Sequence, residues 1–101
     1  MGSVYDDYYK QAFELQNHFH DVVDDQNHPQ AVSLHNEITQ LTEDFRAEKD
    51  PRHMEDRLKV IDHQLLQARS QGEQIMSYRD IDDLQHRYNR LRESVHQLPN
   101  Y

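Results

Sequence analysis

The stretch HFHDVVDDQNH, His18 to His28, sets three histidines and three aspartates in eleven positions. Imidazoles and carboxylates are the groups that ligate divalent metals and exchange protons near neutral pH. Such a stretch therefore suggests a metal site or a pH-sensitive element. Asp50 with His53, Asp83 with His86 and Glu93 with His96 add the acid-x-x-His spacing used in dinuclear metal bundles, where both side chains share one helix face. Whether any of these can work depends on which way its helix turns it.

The apolar residues fix that direction. Phe19 and Val22 define an inner seam, which turns His20, Asp21 and Asp24 toward water. Leu91 and Val95 do the same to Glu93 and His96, and Leu84 with Tyr88 to Asp83 and His86. What remains is a weak chelate of His20 and Asp24, one turn apart, with His28 nearby; so few ligands on a solvated face make a poor site. No metal or other cofactor is expected. Composition removes further chemistries: without cysteine there is no thiolate, and with Gly2 and Gly72 as the only glycines there is no phosphate loop, dinucleotide fingerprint or nucleophile elbow. With no nucleophile beside a base, the sequence reads as non-enzymatic.

The elements that position these residues are helices. Tyr5, Tyr8, Ala12, Leu15, Phe19 and Val22 recur at steps of three and four, as do Ala31, Leu34, Ile38, Leu41 and Phe45. Met54, Leu58, Ile61, Leu65 and Ala68 form a third stripe, and Ile81, Leu84, Tyr88, Leu91, Val95 and Leu98 a fourth. Pro29 and Pro51 read as first-turn residues, capped by Asn27 or His28 and by Asp50. Gly72 reads as a helix stop, and Ser77 with Asp80 as a variant capping box before a helix that Pro99 ends. Residues 1–101 are thus expected to form one all-α domain, an up-down-up-down antiparallel four-helix bundle with helices near 4–26, 29–48, 51–71 and 78–98. The competing arrangement has three helices, the third and fourth merged into one long bent helix.

Charge is placed unevenly. Of the formal −8, residues 1–50 hold three basic side chains against eleven acidic ones, whereas residues 51–101 hold eight of each. The first half repels nucleic-acid backbones and favours a basic protein partner. The basic run from His86 to Arg92 changes little, because Tyr88 and Leu91 belong to the seam and leave Arg87, Arg90 and Arg92 to pair with Glu14 or other acids of the first helix. No nucleic-acid partner is expected. No apolar run approaches the ~18 residues of a spanning helix and no leader is evident, so a cytoplasmic location without membrane attachment is expected.

Two regions emerge as candidate sites. Asp21, Asp24 and Asp25 crowd the end of the first helix, where carboxylates oppose the dipole. In the bundle they share a pole with Asp80, Asp82 and Asp83, which makes this acidic pole a docking site for a basic partner or, alternatively, for a divalent cation. Tyr5, Tyr8, Tyr9 and Phe13 widen the apolar face of the first helix beyond what one bundle seam needs, so that face is expected to support homo-oligomer formation or docking. The expected function is a protein-protein interaction or regulatory module. Eight histidines beside acidic surface also predict stabilisation on mild acidification.

Overall fold

Each apolar stripe becomes one helix in the computed structural model, which describes residues 4–50 and 54–97. Helix α1 spans Val4–Val22, α2 Pro29–Arg46, α3 Glu55–Ser70 and α4 Tyr78–His96. Each packs on its two neighbours in the ring α1, α2, α3, α4, giving an antiparallel four-helix bundle of 40 × 21 × 20 Å. Third and fourth helices are separate. Among the described residues there is no strand.

The stripes supply the core. Ala12, Leu15 and Phe19 of α1 meet Leu34, Ile38, Leu41 and Phe45 of α2, Leu58, Ile61 and Leu65 of α3, and Ile81, Leu84 and Leu91 of α4, all buried. At ~1.5–3 kcal/mol for each fully buried large side chain, this single core outweighs any surface interaction described below. Two tyrosines tie it together. Tyr8 donates its hydroxyl to the Ser94 carbonyl of α4 at 3.2 Å, and Tyr88 donates to the Leu58 carbonyl of α3. Burial, with the Asp62 carboxylate nearby, pushes the Tyr88 phenol well above its ordinary pKa.

The helix ends follow local chemistry, with two departures from expectation. Gly72 does stop α3, at φ +88, a backbone conformation that side chains other than glycine disfavour. Ser77 caps α4: its Oγ accepts from the Asp80 amide at 3.2 Å and donates to Asp80 Oδ2 at 3.0 Å. The end of α1, however, falls at Val22 and not near residue 26. The Asp24 amide leaves the helical pattern to bond the Ile75 carbonyl at 2.7 Å, and Asp25 Oδ1 accepts from the Asn27 amide at 3.1 Å. Asp24 and Asp25 therefore lie in the loop, and only Asp21 stays in the last turn, easing the expected conflict with the dipole. Helix α3 begins at Glu55 after Met54; the Pro51 start and His53 lie outside the described residues, as does Leu98.

Between α3 and α4, Ile75 and Met76 are both buried and close the core at the pole where α1 ends. Through the bond from Asp24 to Ile75, this connection holds the end of α1 and the start of α4 side by side.

Candidate partner-binding site at the acidic pole and the first helix

The two halves of the acidic pole differ in how their charge is met. On the α4 side, Asp80 sits within the Ser77 cap, Asp82 pairs with Arg69, and Asp83 lies 3.2 Å from Arg87 Nε. Arg69 also lies over the Tyr78 ring, 5.5 Å from its centroid. The hydrogen bond from Arg87 holds the Asp83 carboxyl below the usual carboxylate range, with the charges of Arg87 and His18 adding to the effect against desolvation. His18 Nε2 stands 2.8 Å from Asp83 Oδ2.

On the α1 side the acids are unanswered. Among the described residues no Lys, Arg or His lies within ion-pair distance of Asp21, Asp24 or Asp25, and all three are exposed. Cations of the second half of the chain go elsewhere. Arg57 reaches Glu37 at 2.8 Å and Asp44 at 3.4 Å on α2, and Arg92 lies 3.7 Å from Asp62 on α3. The expected pairing of Arg87 and Arg92 with α1 is thus replaced by contacts within α4 and to α3.

The metal candidates are not brought together. His28 serves as the N-cap of α2: its Nδ1 accepts from the Gln30 amide at 3.1 Å, and its Nε2 faces Gln74 Oε1 at 3.3 Å. His20 instead lines a cleft between α1 and α2, and Asp24 belongs to the loop. Among the described residues no group of three or more His, Asp or Glu is placed to share an ion. Of the acid-x-x-His pairs, Glu93 and His96 both face outward, with His96 bonded to Glu55 of α3 at 2.8 Å, and His86 is exposed.

The aromatic residues of α1 divide by one residue of helical phase. Tyr8 is only 5% exposed and belongs to the core, packed on Phe45 with ring centroids 5.5 Å apart, so it offers nothing to a partner. Tyr5 is half-buried against it. Tyr9, half-buried against the core, stacks on Phe13 at 5.9 Å, and Phe13 is 43% exposed. Of the four aromatic residues expected to form a docking face, Phe13 is the exposed one.

The sequence did not single out the cleft of about 210 Å³ between the end of α1 and the start of α2. Phe19 and Ala31 are its buried floor, Val23 and Val32 its walls, and His20 and His35 line it too. Its one readable sign is that Val23 and Val32 each follow a seam residue, Val22 and Ala31, and so fall off the core stripe.

Fold and site together define a small antiparallel four-helix bundle with one acidic, partly apolar hairpin. The chain matches no known protein family, no curated protein and no solved structure. No helix among the described residues is long and apolar enough to cross a membrane.

Proposed function

We propose that this chain is a non-enzymatic helical module that works by binding a protein partner through the α1–α2 hairpin. The observation that carries this reading is Phe13, 43% exposed and stacked on the half-buried Tyr9, on a helix whose terminal carboxylates have no counter-charge among the described residues. Aromatic side chains supply contact area at low entropic cost, and uncompensated charge selects a partner of opposite sign and speeds encounter. His28, Asp83 and His96 are engaged in a cap and in ion pairs on open faces, which favours binding over catalysis.

Charge also weighs on the choice between a second copy and a different protein. A second copy brings the same −8, and laying α1 antiparallel on another α1 would set Asp6 and Asp7 of one against Asp21 and Asp24 of the other. A basic partner avoids that repulsion. Photo-crosslinking from a benzoylphenylalanine at position 13 in living cells tests the reading, with position 59 on α3 as the control. Adducts to a basic protein at 13 alone are expected. Adducts to the chain itself would make the module homo-oligomeric, and equal yields at both positions would sink the reading.

A further inference from the structure

The histidines of this chain divide by whether the fold gives them a partner. His28 caps α2, His18 stands against Asp83, and His96 is bonded to Glu55. His20, His35, His63 and His86 are exposed and have no hydrogen-bond or ion-pair partner among the described residues. Two of these meet: His20 of α1 and His35 of α2 both line the cleft of about 210 Å³ between their helices.

The lining says what such a cleft can hold. An imidazole that makes no other hydrogen bond keeps a ring nitrogen lone pair free, and imidazole is the commonest metal ligand among side chains. The other lining residues are Phe19, Val23, Ala31 and Val32, all apolar, and Gln26, with neither a carboxylate nor a lysine or arginine among them. That donor set discriminates between ions. Calcium and magnesium seek several oxygens and find one amide carbonyl, whereas zinc, nickel and copper(II) take nitrogen. The cleft is also smaller than the ~300–1,000 Å³ of typical organic-ligand sites.

The scaffold favours this pair over the one expected from sequence. Asp24, one turn beyond His20, leaves the helix for the loop, so those two are not held on one face. His35 approaches from the neighbouring helix instead. Phe19 and Leu34, the residues just before the two histidines, are buried in the core, which fixes both backbones while the exposed rings keep their freedom to turn toward a common point.

We infer that His20 and His35 bind a borderline divalent transition-metal ion of the zinc type across the α1–α2 cleft, each giving one imidazole nitrogen, with the Gln26 carbonyl and water as the remaining ligands. The ion clamps the end of α1 to the start of α2. With two protein nitrogens the site stays open to water, so the ion exchanges with solvent and is not a permanent part of the fold. This site stands apart from the interaction module proposed above, because it needs no protein partner.

The test titrates zinc chloride into the full chain, following the ring resonances of the histidines and, in parallel, thermal unfolding. The His20 and His35 signals are expected to move together and saturate at one zinc per chain, ahead of those of His63 and His86, while Tm rises. His20→Ala and His35→Ala should each weaken binding about tenfold or more, since one imidazole alone forms no chelate, and each should remove the rise in Tm. Both residues are exposed, so these variants keep the core. His63→Ala, at an exposed histidine of α3, should change neither readout, and calcium or magnesium should leave the His20 and His35 signals in place.

The inference is overturned if the two signals titrate at separate zinc concentrations, if either alanine variant binds zinc as tightly as the unmutated chain, if the shifts centre on Asp21, Asp24 and Asp25, or if millimolar zinc moves neither ring.

Discussion

The two hairpins of this bundle bury similar cores and differ in what they do with charge. In α3–α4 the acids are met locally: Asp82 by Arg69, Asp83 by Arg87, and Asp62 by Arg92. In α1–α2 the cations are few, Arg57 is borrowed from α3 to meet Glu37 and Asp44, and among the described residues Asp21, Asp24 and Asp25 have no counter-charge. The same hairpin holds the exposed Phe13, stacked on Tyr9, and the cleft. A surface whose charges are already paired gives a partner little to neutralise. The difference therefore separates a hairpin that stabilises the fold from one available to bind.

Several changes can break or sharpen this contrast. The largest effect is expected in the core of the stabilising hairpin. Tyr88→Ala should cost about 3–5 kcal/mol in chemical denaturation, and Tyr88→Phe, which loses only the bond to Leu58, about 1 kcal/mol. Because the Tyr88 pKa is raised on folding, its contribution is complete below the ~10 of an unfolded tyrosine and fades as pH rises toward the folded value. Absorbance titration should show that phenol ionising only with unfolding.

Next comes the cation that joins the hairpins. Arg57→Ala should cost about 1–2 kcal/mol, because Glu37 loses its partner while the mostly buried Asp44 keeps Lys49 at 3.2 Å and Gln40 at 3.0 Å. A double-mutant cycle with Glu37→Gln checks that the loss belongs to the pair. Within the binding hairpin, His28→Ala should remove the α2 cap at about 1 kcal/mol, and His28→Asn should restore most of it.

The smallest effect concerns Asp83. Its pKa is lowered on folding, chiefly by the hydrogen bond from Arg87, so its contribution is present above the ~3.9 of an unfolded aspartate and is lost as pH falls through the lower folded value. Side-chain carboxyl shifts followed through acid titration should show Arg87→Gln moving the midpoint upward.

The bundle was legible because helical period and seam residues are local facts. Ala31, Leu34, Ile38, Leu41 and Phe45 are all buried as their spacing required, and both Gly72 and the Ser77–Asp80 pair act at the ends they mark. Features set by residues distant in sequence were not legible. Helix α1 stops early because the Asp24 amide finds a carbonyl at Ile75, and no local propensity announces that bond. The cleft needs Val23 and Val32 on either side of a loop, and the choice of Arg57 for Glu37 depends on reach across two helices. His28 as a cap was half-visible: its position before Pro29 suggested the role, but histidine is not among the residues that usually fill it.

The contrast between the hairpins is tested most directly by neutralising each in turn and following two quantities. Asp21→Asn, Asp24→Asn and Asp25→Asn together should leave the melting temperature unchanged or raise it, by relieving repulsion, while weakening the crosslink from position 13 to a basic partner. Asp82→Asn with Asp83→Asn should lower the melting temperature and leave that crosslink intact. If the first set instead destabilises the bundle, or the second removes binding while the first does not, the assignment of stability to one hairpin and recognition to the other is wrong.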